Sequence, residues 1–249
     1  MMKPELVQKE HYDRIASDYE AHYDDEASQR FRDAFIYPHL LGGIEFAGTR
    51  VLEAMCGSGQ VTRQLLGRGA VVVGLDVSQA QLQLFRRKYP QCDAVCASVT
   101  DLGFDAASFD HVVVMGGLHH THPRLEETIV EIHRVLKPEG YLCFSEPHSG
   151  SLPDAARKLW YRVDPLFLSN EASLDFKRLK RTFADRFTFG PDHYLGSIGY
   201  LLIFNSLVLR VPLWLKRAYA PAFMRVERAL SALHGKRTSC FMVSQWRKR

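Results

Sequence analysis

Four residues in the first third of the chain have the types and spacing needed to bind a nucleoside. Glu53 ends an apolar run, Gly57 and Gly59 follow it, and Asp76 ends a second apolar run 23 residues after Glu53 (76 − 53). Glycines after a buried strand let backbone amides approach a ligand, and a carboxylate at the end of the next strand can accept hydrogen bonds from a ribose diol. The carboxylate of Glu53 suits an ammonium or sulfonium group and would repel a pyrophosphate. The pattern therefore predicts a βαβ unit for a nucleoside that carries a positive charge.

The glycine spacing separates this interpretation from a dinucleotide site. A dinucleotide fingerprint needs a third small residue three positions after Gly59, where the helix packs closely on the strand. Thr62 occupies that position. A nicotinamide-dependent oxidoreductase is therefore an alternative function, which Thr62 and Glu53 disfavour.

Several other segments occur in a fixed order along the first 147 residues. They are VLEAMCGSG at 51–59, GLDVS at 74–78, FDHVVVMGGLHHTHP at 109–123 and EIHRVLKPEGYLCFSEP at 131–147, preceded by Tyr12-Asp13, Ile15-Ala16 and Tyr19. In order and spacing this set resembles the class I S-adenosylmethionine-dependent methyltransferases, in particular the small-molecule branch with ubiquinone, menaquinone and natural-product methyltransferases. The resemblance implies a Rossmann-like fold, S-adenosyl-L-methionine as the cofactor, and transfer of its methyl group.

The resemblance also implies roles for individual residues. Gly57 and Gly59 would lie closest to the methionine part of the cofactor, and Asp76 would bind the ribose. Further cofactor contacts are expected from Val77, Ser98, Val99, Met115 and Tyr19, and Tyr12 would close over the pocket with Tyr19. Two positions depart from the family pattern, because Met55 replaces its first glycine and Ser98 replaces an Asp that usually meets the adenine amino group. These departures motivate a second alternative, a protein that binds the cofactor without catalysing methyl transfer.

Candidate catalytic residues follow the fourth and fifth predicted strands. Methyl transfer from a sulfonium is an in-line displacement, and a hydroxyl acceptor benefits from a base such as histidine. His119 and His120 follow the fourth strand, and we expect His120 rather than His119 to face the pocket, because adjacent residues rarely both do. Glu146 and His148 follow the fifth strand, where the carboxylate could orient the imidazole. The alternative is structural, with a histidine that caps a helix and a polar turn around Pro147.

Composition limits the class of protein. The chain has 249 residues, 46% of them hydrophobic, which is enough for one α/β domain with an insertion. The charged segment from Met1 to Asp33 predicts no secretory signal, so we expect a cytoplasmic protein. The five cysteines include no pair with zinc-site spacing, which predicts buried free thiols and no metal site.

Charge is unevenly distributed along the chain. Residues 1–150 contain 14 Lys and Arg against 21 Asp and Glu, whereas residues 151–249 contain 18 against 7. The basic part predicts a phosphorylated acceptor or contact with acidic lipid headgroups. No nucleic acid is expected, because His119 and His120 stand where methyltransferases of base amino groups have an Asn-Pro-Pro-Tyr-like sequence.

The elements that must position these residues alternate between strand and helix patterns. Strands are predicted near 50–55, 70–76, 93–97, 111–115 and 141–145, with helices near 60–68, 78–88 and 124–136, and two closing strands at 187–194 and 239–246. This alternation predicts a doubly wound, mainly parallel, seven-stranded sheet. We divide the chain into an N-terminal helical cover (1–43, with helices at 7–23 and 29–41), a cofactor-binding core (44–150) and a C-terminal part (151–249). The last part is expected to contain helices at 154–162 and 171–184.

The segment from about 195 to 235 is expected to form a helical lid. Its apolar run at 195–215 is interrupted by Arg210 and Pro212, which disfavours a membrane span. Lys216, Arg217, Arg225 and Arg228 follow, together with an apolar stripe formed by Phe223, Val226, Leu230 and Leu233. Two interpretations stay open, a cap packed on the sheet and a helix lying in a membrane interface.

The sequence as a whole predicts methylation of a hydroxyl, in preference to a carbon, on a small or lipid-linked acceptor such as a quinone, a polyketide or a sugar.

Overall fold

The computed structural model describes residues 4–160, 164 and 171–249. Three helices precede the sheet: α1 (Pro4–Tyr23), α2 (Glu26–Phe35) and α3 (Tyr37–Leu40). Helix α2 begins after Asp25, whose carboxylate accepts a hydrogen bond from the amide of Ser28 at 3.3 Å. Such a cap satisfies one of the amides left unpaired at a helix start. The predicted N-terminal helices are therefore present, with a break at residues 24–25 and another at Ile36.

The sheet follows the predicted doubly wound plan. Its strands are β1 (Arg50–Ala54), β2 (Val71–Asp76), β3 (Asp93–Cys96), β4 (Phe109–Met115), β5 (Leu136–Glu146), β6 (Phe187–Phe189), β7 (His193–Leu195) and β8 (Phe241–Lys248). Their order is β3-β2-β1-β4-β5-β8-β6, with β7 also paired to β8. The first five strands are parallel, and β8 is antiparallel to β5. The prediction of a mainly parallel α/β sheet is confirmed.

The prediction of seven strands is wrong, because the segment expected to form one strand at 187–194 forms two. Phe189 pairs with Trp246 in β6, and His193 pairs with Val243 in β7, both antiparallel to β8. Pro191 lies between them and has no amide hydrogen to donate to the ladder. Eight strands result, with β6 and β7 in succession along the same edge of β8.

Apolar residues cover both faces of the sheet. In β4, Val112 and Val114 belong to one buried core, whereas Val113 and Met115 belong to a second core on the opposite face. A strand that is buried on both faces has a continuous apolar run, as β4 has at residues 112–115.

The connecting helices are α4 (Thr62–Gly67), α5 (Gln79–Lys88) and α6 (Leu125–Val135). The neighbours β1 and β4 flank the point where the strand order reverses, which is where open α/β sheets bind ligands.

Helices in the C-terminal part differ in their bounds from the prediction, since the first begins two residues earlier than predicted and the second is shorter. Helix α7 spans Leu152–Trp160, and the last two residues of the predicted helix at 154–162 lie outside the described residues. Helix α8 spans Phe176–Thr182 and not 171–184. It starts late because Asp175 caps it, accepting from the amide of Arg178 at 3.0 Å. Glu171 therefore lies outside the helix, in an irregular segment.

The predicted lid segment contains a π-helical turn at Tyr200–Phe204 and helix α9 at Leu213–Leu230. The predicted apolar stripe is only partly buried, since Val226 in α9 and Leu233 after it are exposed, whereas Phe223 packs against a buried core. The buried residues of α9 are Lys216, Ala220 and Glu227. The ammonium group of Lys216 donates to Asp25 Oδ1 at 2.6 Å, which fixes α9 to the N-terminal helices. Within the described part of the chain, no helix has the length and hydropathy needed to cross a membrane.

Candidate active site

The loop after β1 adopts the conformation that a glycine-rich turn would have, although it begins with a methionine. Met55 has a φ of 56°, in the left-handed region that side chains disfavour. Its side chain packs against Gly117, where an added Cβ would lie 2.7 Å from the methionine Sδ. Gly59 has a φ of 93°, and a Cβ there would lie 2.5 Å from the ring of Tyr89. The Met55 side chain therefore forms part of the wall of the neighbouring cavity and does not fill that cavity.

This pocket, which we call the first cavity, lies at the carboxyl ends of β1, β2 and β4. Its empty volume is about 840 Å³. The described residues around it include most of the predicted cofactor contacts, namely Tyr19, Gly57, Asp76, Val77, Ser98, Val99 and Met115. Gly59 and Glu53 are not among the residues that line it. The structure therefore brings seven of the nine predicted cofactor residues to one cavity.

Asp76 links the two halves of the nucleoside-binding unit. Its Oδ2 accepts from the amide of Gly57 at 2.9 Å, and its Oδ1 accepts from the amide of Ser78 at 2.9 Å. Burial raises the pKa of this carboxyl, and the amide hydrogen bonds act in the opposite direction. Each carboxylate oxygen has a second lone pair, so Asp76 can hold the glycine turn and still accept a ligand hydroxyl.

Glu53 has a different environment from the one expected. Its side chain is buried, and its two oxygens accept from the amide of Val61 at 2.9 Å and from the hydroxyl of Thr62. Burial raises the pKa of Glu53 to about 7. The carboxylate thus satisfies donors at the start of α4, which is a capping role. Direct contact of Glu53 with a ligand stays a prediction.

Helix α1 covers the first cavity with two tyrosines. The hydroxyl of Tyr19 accepts from Gln60 Nε2 at 3.0 Å, and burial raises the pKa of Tyr19 to about 12. The hydroxyl of Tyr12 lies 3.0 Å from His120 Nε2. Asp13 fixes the helix in place, because its Oδ1 accepts from the amide of Ala80 at 3.1 Å at the start of α5. The Tyr12-Asp13 pair seen in the sequence therefore docks α1 over the pocket.

A second cavity, with an empty volume of about 1450 Å³, adjoins the first. The residues that line both are Tyr12, Tyr19, Gln60, Met115, Gly116 and His120. Apolar side chains from the C-terminal part, including Leu201, Phe204 and Leu207, line its outer region. Charged or titratable groups also line it, among them His119, Arg157 and Glu171. A ligand in one cavity would therefore lie next to a ligand in the other, with His120 at the junction.

The histidines and Glu146 are paired differently from the prediction. Nδ1 of His119 lies 2.8 Å from Glu146 Oε2, and Glu146 Oε1 accepts from the amides of Gly117 and Leu118 at 2.7 Å each. Both His119 and His120 line the second cavity, with ring centroids 3.8 Å apart. Of the two, His120 also lines the first cavity. The expectation that adjacent histidines do not face one pocket together is wrong for the second cavity, because a short 3₁₀ turn at Leu118–His120 places the two rings beside each other, tilted by 38°. Burial lowers the pKa of His119, and Glu146 opposes that shift.

His148 has no contact with Glu146 or with either of these cavities among the described residues. It is buried, and its Nε2 lies 3.0 Å from the hydroxyl of Ser239. The predicted Glu146–His148 pair is therefore wrong, because Pro147 separates them and Glu146 turns towards the loop after β4. The structural interpretation of His148 fits its surroundings.

Three residues of the site were not predicted from the sequence. Gln60 lies between the two cavities, and Glu171 lies 3.4 Å from His120 Nδ1. Arg157 donates to the carbonyl of Cys240 at 2.5 Å, while its Nη1 makes no hydrogen bond within the part of the chain that is described and lies 3.6 Å from Asp154 Oδ1 in an ion pair. Glu171 and Arg157 come from segments after residue 150, where the family resemblance ends. The basic composition of that part is the only signal that points to Arg157.

Comparison with known proteins agrees with this geometry. A family model described as a methyltransferase domain matches residues 52–144. Malonyl-[acyl-carrier protein] O-methyltransferase of Salmonella typhimurium is 33% identical over 153 residues, which cover 61% of this chain and 58% of the relative. Phthiotriol/phenolphthiotriol dimycocerosates methyltransferase 1 of Mycobacterium ulcerans is 36% identical over 117 residues, covering 45% and 42%. The matches span about half the length of these curated relatives.

A solved structure extends the likeness to the whole fold. Magnesium protoporphyrin IX methyltransferase from Synechocystis, solved with bound SAH, superposes with a TM-score of 0.65 over 99% of this chain and 100% of its own. The two sequences are 14% identical, so the likeness concerns the fold. Residues 52–144 of this chain therefore match a methyltransferase domain, and the whole chain shares the fold of the magnesium protoporphyrin IX methyltransferase.

Proposed function

We propose that the protein transfers the methyl group of S-adenosylmethionine to a hydroxyl, in preference to a carbon, of a small or lipid-linked acceptor. The observation that carries this proposal is the contact between the two cavities at Met115, Gly116 and His120. The first cavity holds the predicted nucleoside-binding residues, and the second is lined mainly by apolar side chains. An in-line displacement needs donor and acceptor in adjacent sites from which water is excluded.

The cofactor would lie in the first cavity with its ribose at Asp76 and its adenine between Val77, Ser98 and Val99. The hydroxyl oxygen of Ser98 could accept a hydrogen bond from the adenine amino group. It would share that oxygen with Thr100, whose Oγ1 lies 2.8 Å away. The sulfonium would then point towards Met115 and the second cavity. This placement follows the sequence-based roles and the lining of the cavity.

In the reaction, the acceptor hydroxyl loses its proton to an imidazole at the junction, for which His120 is the first candidate. S-Adenosylmethionine, when bound, would supply the methyl group to that oxygen and would retain the electron pair of the carbon–sulfur bond as a neutral thioether. Tyr12, 3.0 Å from His120 Nε2, would position the imidazole. Much of the rate enhancement would come from holding the oxygen, the methyl group and the sulfur in line.

The class of acceptor is inferred from the second cavity. Its apolar lining suits a quinone, a polyketide or another lipid-linked molecule, and Arg157 could bind an acidic group on that molecule. The name of the Salmonella relative specifies an O-methyltransferase, which supports oxygen as the acceptor atom. The resemblance to the small-molecule branch supports the same class.

The segment 195–235 is proposed to act as a lid that also contacts a membrane surface. Leu201, Phe204 and Leu207 line the second cavity from this segment. On its outer side, Trp214 is 72% exposed, and Arg217 is exposed nearby on the same helix. An exposed tryptophan beside basic side chains is typical of helices that lie in an anionic interface. A lipid-linked acceptor could then enter from the membrane.

Two measurements test the proposed activity. Calorimetric titration of the full chain with S-adenosylmethionine and with its demethylated product should show one binding site for each. Incubation of lipid and glycan extracts with methyl-labelled cofactor should then transfer the label to a small or lipid-soluble product. Cofactor binding without transfer to any fraction would favour the non-catalytic alternative, and binding of a nicotinamide cofactor in place of S-adenosylmethionine would favour the oxidoreductase.

A further inference from the structure

Three side chains in the second cavity lie close enough to bind one metal ion. They are His119, His120 and Glu171, and each offers one ligand atom within 4.8 Å of the others. We propose that this set, the His-His-Glu cluster, binds a divalent transition-metal ion. The sequence predicts no metal site, because that expectation rests on cysteine spacing, and the cluster contains no cysteine.

The distances in the cluster fit a single ion with small adjustments. His120 Nδ1 and Glu171 Oε1 are 3.4 Å apart. Nitrogen and oxygen ligands lie about 2.0–2.2 Å from Zn²⁺, so two ligand atoms on one tetrahedral ion are separated by roughly 3.3–3.6 Å. This pair already has that separation. The remaining separations, of up to 4.8 Å, close with shifts of about 1 Å, which a rotation of a side chain supplies.

The surroundings of His119 resemble the support that metal-binding histidines receive. Its Nδ1 contacts Glu146 Oε2 at 2.8 Å, and no hydrogen bond within the described residues involves its Nε2. A carboxylate acceptor fixes the proton on Nδ1 and leaves the lone pair of Nε2 available to an ion. Glu146 is itself fixed by the amides of Gly117 and Leu118. The orientation of the imidazole is therefore set before an ion arrives.

The type of ion follows from the donor atoms. Two imidazoles and one carboxylate provide two nitrogens and one oxygen, a set that suits Fe²⁺, Co²⁺, Ni²⁺ or Zn²⁺. Mg²⁺ and Ca²⁺ prefer oxygen ligands throughout. Because all three residues line the second cavity, the remaining positions on the ion would face the space assigned to the acceptor.

The role of the ion in turnover rests on the proposed function. An ion in the cluster would bind the acceptor oxygen and lower the pKa of its hydroxyl, so that the proton is released to water at neutral pH. The oxygen would then attack the methyl group as described above. His120 would act as a ligand in this case and would not accept the proton.

The test uses the untagged full chain after removal of metal with a chelator. Titration with Co²⁺, followed by its visible absorption, and with Zn²⁺, followed by calorimetry, should each show one ion per chain. His119→Ala and Glu171→Gln should each weaken binding by at least about tenfold. His193→Ala removes an imidazole from β7, away from the cavity, and should leave the affinity unchanged. Thermal unfolding of each variant checks that it is folded.

Binding of S-adenosylhomocysteine to the same proteins separates the two proposals. His119 and Glu171 are not among the residues that line the first cavity, so their variants should bind this product within about twofold of the unsubstituted chain. The metal site is overturned if the stripped chain binds neither ion, or if both variants bind the ions as tightly as the unsubstituted chain does. Metal binding without cofactor binding would overturn the proposed function alone.

Discussion

The hydroxyl of Tyr12 and Nε2 of His120 lie 3.0 Å apart, and this contact joins helix α1 to the loop after β4. Both residues line both cavities. The position of the imidazole at the junction therefore depends on a helix that lies 108 residues earlier in the chain.

Tyr12→Phe tests the importance of this contact. Loss of one hydrogen bond of this kind costs about 0.5–1.5 kcal/mol, so methyl transfer should fall by about two- to tenfold. The fall should appear in kcat, since the ring that lines the first cavity is retained. Tyr194→Phe, on β7, is the matched control and should show full turnover. Unchanged kcat in Tyr12→Phe would remove the positioning role.

Asp76→Asn should weaken cofactor binding. The amide keeps one oxygen acceptor but loses the charge, and hydrogen bonds to charged groups contribute about 1.5–3 kcal/mol. The Kd for S-adenosylhomocysteine, measured by calorimetry, should therefore rise by roughly ten- to a hundredfold. Asp93→Asn, at the exposed start of β3, serves as the control. Equal affinity in the two variants would show that Asp76 holds the turn without contacting the ribose.

Glu53→Gln should change how stability depends on pH. The folded-state pKa of Glu53 is raised from 4.5 to about 7, so between these values the folded chain binds more protons than the unfolded chain. The contribution of Glu53 to stability is complete below pH 4.5 and is lost as the pH rises to about 7. Relative to Glu53→Gln, the unfolding free energy of the unsubstituted chain should fall by up to about 3 kcal/mol over that range.

Denaturant unfolding at several pH values measures this difference. Glu127→Gln, at an exposed position on α6, is the control and should follow the unsubstituted chain. Parallel profiles for Glu53→Gln and the unsubstituted chain would contradict the effect of burial on Glu53.

Trp214→Ser should weaken binding to anionic vesicles. The indole is 72% exposed, and its insertion into an interface would bury apolar surface worth about 1–3 kcal/mol. Co-sedimentation with phosphatidylglycerol vesicles should therefore fall at least about fivefold. Val71→Ser replaces another exposed apolar side chain, at the start of β2, and should have no effect. The membrane proposal fails if the unsubstituted chain does not sediment with vesicles at any anionic lipid content.

The sequence predicted the parts of the molecule that local patterns determine. Apolar runs located the strands of the parallel sheet, and Gly57 and Asp76 located the first cavity. The pattern could not show that the strand predicted at 187–194 divides, because the division depends on how Pro191 meets β8. Whether this segment forms one strand or two is visible only in its pairing with β8 at the edge of the sheet.

Pairings between distant residues were harder to predict. Glu146 and His148 are neighbours in sequence, yet the carboxylate contacts His119, 27 residues earlier. In α9, Lys216 and Glu227 are buried, although their charges predict an exposed face. Lys216 is buried because Asp25, the carbonyl of His22 and the hydroxyl of Ser28 satisfy its three protons. Such partners lie in elements that are distant in sequence, so a pattern of neighbouring residues cannot predict them.

The described lining of the first cavity comes wholly from residues 8–124, whereas the outer region of the second is lined by segments beyond residue 150. Substitutions in those later segments can therefore reshape the second cavity while the lining of the first cavity stays unchanged. If the proposed function holds, selection or directed evolution in the laboratory could change the acceptor without altering the residues proposed to bind the methyl donor.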